Sequence, residues 1–109
     1  MAYDENLERR ILVVIDGWEG AAAKKMFGGS CHLVHGNMFC GVYKEFLILR
    51  LGEEAAGEAL SRPHVRPFDI TGRPMKGWVM VAPEGFETAG ALIGWLKKAH
   101  AFALTLAPK

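Results

Sequence analysis

Between Lys24 and Leu51 the chain has no helical period. Short runs rich in Val, Phe, Tyr and Leu are split instead by Gly28-Gly29, His35-Gly36-Asn37 and Lys44-Glu45. This pattern commits the middle of the chain to a meander of three antiparallel strands, near 30–35, 37–43 and 46–51, with Lys24 to Phe27 as a short lead-in. His35-Gly36 suits a two-residue turn with both residues at positive φ, since His tolerates that region better than most residues and Gly adopts it freely. Val34 then pairs with Asn37, Leu33 with Met38, and Cys31 falls opposite Cys40. A turn at Lys44-Glu45 sets Val42 against Leu47 and Cys40 against Leu49. One face of the meander then collects Cys31, Leu33, Met38, Cys40, Val42, Leu47, Leu49 and Leu51, and is expected to be the core face. The other collects His32, Phe39, Tyr43, Phe46, Ile48 and Arg50.

Helical spacing appears on both sides of the meander. Leu7, Ile11, Val14, Ile15 and Trp18 recur every three or four residues, with Asp4 as N-cap and Gly17 and Gly20 at the stop. Glu53 to Leu60 is a short helix ended by Arg62-Pro63. Val65 to Ile70 reads as a strand, and Pro67 places it at an edge. Thr71-Gly72-Arg73-Pro74 is a turn, Gly77 to Ala82 is a strand, and the 3.6 period returns from Glu84 to Leu106, with Thr88 as a cap. The expected order is α-β(3)-α-β(2)-α, an α+β fold in two layers with an antiparallel sheet.

At 109 residues the chain is one domain, 1–109. Half of it is hydrophobic, 23% is charged, and the formal net charge is +1. This excludes a disordered chain and an overall polycation. No apolar run approaches the roughly 20 residues that cross a bilayer, and Met1 to Arg10 lacks a signal-peptide core. Two cysteines are too few for a disulfide scaffold, so a cytoplasmic setting is expected.

Few residues carry chemistry. A Cys31–Cys40 pair with Cα atoms about 4.5 Å apart lies near the short end of disulfide geometry. The residues leave two readings, a labile thiol pair or two small side chains in a core layer, and a reducing compartment favours the second. His32 and His35 beside Cys31 hint at a metal, but neighbours on a strand point to opposite faces, so no ligand set converges. Residues 62–76 hold Arg62, Arg66, Arg73 and Lys76 against Asp69, a net of +3. They form a candidate anion or nucleic-acid patch, or else a solvated edge kept from aggregating by charge. No catalytic constellation and no cofactor motif is present.

Lys24-Lys25-Met26-Phe27-Gly28-Gly29, Gly36-Asn37-Met38-Phe39 with Gly41-Val42, Arg62-Pro63, Arg66-Pro67-Phe68, and Thr71-Gly72-Arg73-Pro74-Met75-Lys76-Gly77-Trp78-Val79 together resemble the N-terminal domain of the TfoX/Sxy family. The resemblance runs from about Leu7 through Leu106. It implies a secretion-chaperone-like α-β(3)-α-β(2)-α fold. It also implies a role in regulation, since named members act in natural competence with the cyclic-AMP receptor protein at certain promoters. Those members carry a second, C-terminal domain that this sequence, ending at Lys109, does not include. The family has no established catalytic residues to carry over.

The expected function is therefore a non-enzymatic, cytoplasmic protein-interaction module. It would work without a cofactor or metal, in transcriptional regulation, binding a protein partner or a second copy of itself as a homodimer. Phe39, Tyr43, Phe46, Ile48 and Trp78 would supply apolar area, and Arg73 and Lys76 charge. The alternative is nucleic-acid or phosphate-ligand binding through Arg62, Arg66, Arg73 and Lys76.

Overall fold

Asp4 starts the first helix. Its carboxylate accepts from the backbone N–H groups of Asn6 and Leu7 at 2.9 and 3.2 Å, satisfying two of the donors that a helix start leaves open. The computed structural model describes residues 4–18, 20–26, 29–69 and 75–108, with residues 24–26 as backbone. Helix α1 is Glu5–Ile15 and buries Leu7, Ile11 and Ile15 along one stripe. Strands β1 (Ala21–Met26), β2 (Gly29–Val34), β3 (Asn37–Tyr43) and β4 (Phe46–Arg50) follow, then α2 (Glu53–Ala59), β5 (Val65–Pro67) and β6 (Trp78–Val81). The lead-in expected near Lys24 is thus a full strand.

A 3-10 turn at Pro83–Gly85 precedes α3 (Ala89–Leu104), so the last helix starts five residues later than its periodicity suggests. Thr88 caps it, its hydroxyl accepting from the Ala91 N–H at 3.1 Å. None of the described helices is long and apolar enough to cross a membrane.

The six strands form one antiparallel sheet in the order β1-β2-β3-β4-β6-β5. Pro67 sits on β5, an end strand, where its missing N–H leaves no gap in a central ladder. All three helices contribute to one core. Leu7 and Ile11 of α1, Ala56 and Ala59 of α2, and Leu92, Leu96, Ala99 and Ala103 of α3 meet Val34, Cys40, Val42, Leu47, Leu49, Val79 and Val81 of the sheet. Each large side chain buried there contributes about 1.5–3 kcal/mol. The opposite face of the sheet has a smaller cluster of Ile48, Phe68 and Met80.

Both turns behave as the sequence indicates. His35 and Gly36 take φ of 51° and 84°, and Lys44 takes 55°. Val34 pairs with Asn37, Leu33 with Met38, Val42 with Leu47 and Cys40 with Leu49.

The expected Cys31–Cys40 pair does not form. The β2–β3 register shifts between His32 and Leu33, so His32 pairs with Cys40 and Cys31 with Gly41. Phe39 is the extra residue on β3, and Phe39 and Cys40 together oppose His32, as in a β-bulge. Both then point at the helices, and both belong to the large core. The phase of the chain before this point is inverted. Phe39 and His32, expected on the outer face, lie on the helix side. Cys31, Leu33 and Met38, expected in the core, lie on the other side. Gly41 permits the close approach that goes with the bulge, since a Cβ there would collide with the Ser30 carbonyl oxygen.

Candidate functional site

The face without helices is built by alternation along β4 and β6. Phe46, Ile48 and Arg50 of β4 point to it, and so do Trp78 and Met80 of β6, with Ile48 opposite Met80 and Arg50 opposite Trp78. Phe68, just beyond β5, folds over them. Ile48, Phe68 and Met80 are buried, and Met38, Tyr43, Phe46 and Trp78 are half-buried around them. The Phe68 and Trp78 rings lie 5.8 Å apart at 40°.

Cations lie over the rings of this face. The Arg66 guanidinium is 5.1 Å from the Phe46 centroid, the Lys44 ammonium 5.4 Å from Tyr43, and the Arg50 guanidinium 5.5 Å from Trp78. Each contact is worth about 0.5–1 kcal/mol at an exposed site, and each fixes a positive charge beside apolar surface.

Trp78 also lines a cleft of about 360 Å³ at the border of this face, between α2 and the segment leading into β6. Ala56, Leu60, Pro67, Met75 and Trp78 give it an apolar lining, with Glu53 and Lys76 also on its wall. Leu60 and Met75 are among the few large apolar side chains that are exposed. The backbone holds the cleft's shape, since the Gly77 carbonyl accepts from both Leu51 and Gly52 at 2.8 and 3.1 Å. A cleft of this size and apolar character is suited to taking an apolar group of a ligand or partner.

The residues singled out from sequence separate into groups. Tyr43, Phe46 and Trp78 share the helix-free face, and Lys76 and Trp78 line the cleft. Ile48 shares that face but is buried among Phe68 and Met80, while Phe39 is fully buried on the helix side. The basic segment does not converge. Arg62 stands 4.6 Å over the ring of Trp95, beside α3, whereas Arg66 is on the sheet's other face. Arg73 lies outside the described residues. Cys31 and Cys40 are both buried, neither is in a disulfide, and they point to opposite faces. Burial pushes the Cys40 thiol well above its ordinary pKa, and the Glu8 carboxylate and Cys31 push it the same way.

Sequence reasoning missed two features. Leu60 and Met75 become neighbours only when α2 packs beside β6. Glu8 of α1 reaches down to β2, where its carboxylate accepts from the Ser30 hydroxyl at 2.7 Å and bonds His32 Nε2 at 2.9 Å. Among the described residues no three His, Cys, Asp or Glu side chains are grouped to hold a metal ion.

The family model of the TfoX N-terminal domain matches residues 14–103 of the 109. The chain belongs to that family. The match takes in β1 through nearly all of α3, so both the helix-free face and the cleft belong to the TfoX N-terminal domain itself. No curated protein matches the chain in sequence.

Proposed function

We propose that this TfoX N-terminal domain is a non-enzymatic protein-interaction module with a regulatory role of the TfoX kind, and that it docks a protein partner on the helix-free face and its cleft. The observation that carries this reading is the cleft beside Trp78. Leu60 and Met75 expose apolar surface at it, Lys76 and Glu53 stand on its wall, and Lys44, Arg50 and Arg66 place positive charge on the adjoining face. Apolar anchors with a charged rim are the usual anatomy of a transient interface. The charge favours a partner segment that brings an apolar side chain flanked by carboxylates.

The test is affinity capture from the native host with the wild-type chain and with a Leu60→Lys, Met75→Lys double variant. Both positions are exposed, so the fold and its circular dichroism should not change. The expected result is a partner held by the wild type and lost by the variant. Equal recovery by both would overturn the assignment of the cleft.

A further inference from the structure

The docking face leaves unused the opposite end of the sheet, where three observations coincide. β1 is an end strand: it pairs with β2 along one side, and no described strand pairs with its other side. This open edge is six residues long, twice the length of β5 at the far end, and has no proline. Beside it, α1 exposes Leu12 at 44%. Between them a cavity of about 190 Å³ is bordered by Leu12, Ile15, Asp16, Ala21, Ala23 and His32.

The cavity has a definite chemistry. His32 is buried, and its Nε2 is engaged by Glu8 at 2.9 Å. A carboxylate only accepts, so His32 Nε2 donates to it. Nδ1 is buried without a hydrogen-bond partner. The Asp16 carboxylate on the border of the cavity suits a cation.

β1 of a second copy brings such a residue. Its sequence is Ala21-Ala22-Ala23-Lys24-Lys25-Met26. Antiparallel pairing of two β1 strands with Ala23 opposite Ala23 sets position 25 of each copy against Ala21 of the other, and Ala21 borders the cavity that holds Asp16. The lysine-to-carboxylate match then occurs twice about a two-fold axis, as a self-complementary interface requires. No lysine stands opposite a lysine, because positions 24 and 25 meet 22 and 21.

The helices leave room for this. Glu8 reaches Ser30 and His32 of β2, and α1 also packs on β3, so α1 lies at least one and a half strand spacings from the axis. At about 4.8 Å per strand the two α1 axes are on the order of 14 Å apart, outside the roughly 8–10 Å of close helix packing.

We propose that the open edge of β1 is a self-association site, where two copies pair antiparallel about Ala23, so that position 25 of each, a lysine, stands opposite Ala21 of the other, beside the cavity that Asp16 borders. Sedimentation velocity of the full chain from about 1 µM to about 1 mM tests it, with circular dichroism as the check on folding. The expected species is a dimer of twice the 12.0 kDa chain. Ala23→Pro, Asp16→Lys and Lys25→Glu should each weaken it by about tenfold or more, and the Asp16→Lys, Lys25→Glu double variant should restore it. A wild-type chain that stays monomeric throughout overturns the proposal. So does a dimer unmoved by the single variants, or a double variant no tighter than the singles.

Discussion

The two faces of the sheet solve different problems with neighbouring residues. Leu49 and Ile48 are adjacent on β4, and both are almost completely buried. Leu49 points into a core fed by three helices, whereas Ile48 stands beside Met80 under the ring of Phe68. The first face excludes water with many apolar side chains from separate elements. The second does so with two strands and one ring, then surrounds that small patch with half-buried aromatics and cations. The comparison teaches that burial at a single position says little about which side of a sheet is closed.

The largest effect should separate these two residues directly. Leu49→Ala should cost about 3–5 kcal/mol in urea unfolding, because the large core cannot close around the gap. Ile48→Ala should cost about 2 kcal/mol, because Phe68 and Met80 are held by fewer neighbours and can settle. Equal losses would erase the proposed difference between the faces.

The next effect concerns the polar clasp on the helix side. Removing the carboxylate with Glu8→Ala leaves His32 Nε2 and the Ser30 hydroxyl without the acceptor they share. Stability should fall by about 1–3 kcal/mol, a large loss for a residue that lies on the first helix and looks solvated in the sequence. A change within about 0.5 kcal/mol would mean that water replaces the carboxylate at no cost.

How much of this was legible follows the range of the forces involved. His35-Gly36 and Lys44-Glu45 act locally, so their turns and the adjoining pairs could be read from the chain. The bulge could not be read from alternation alone, because one extra residue at Phe39 inverts everything before it. The available signal was Gly41, a glycine inside an otherwise apolar strand. His32 reads as an outward polar residue until α1 delivers Glu8 to it. Ala21 to Ala23 have weak strand propensity, so β1 was visible only as a lead-in. The cleft needs α2 and the start of β6 side by side, a tertiary relation that no sequence spacing encodes.

Cys40 gives a smaller, pH-dependent contrast. Its thiol is held neutral in the folded chain, first by burial, then by Glu8 and Cys31. An acid whose folded pKa is raised contributes fully below its unfolded value and loses that contribution as pH rises past it. Stability should therefore fall above about pH 9, by at most about 1.4 kcal/mol per pH unit from this group. Cys40→Ala should remove that part of the slope. Identical alkaline slopes in the two proteins would contradict the assignment.

The smallest effect belongs to the helix-free face. Arg66→Ala removes the guanidinium over Phe46 and should cost only about 0.5 kcal/mol, while weakening capture of the partner more than it weakens the fold. A loss above about 2 kcal/mol would make Arg66 a structural support of that face.

The assignment of the two faces turns on Phe39. Nuclear Overhauser contacts from its ring protons test it most directly. The account predicts contacts to the His100 ring, whose centroid is 5.4 Å away, and none to Ile48 or Phe68. Contacts from Phe39 to Ile48 and Phe68, with none to His100, would restore simple alternation through β3 and contradict the account.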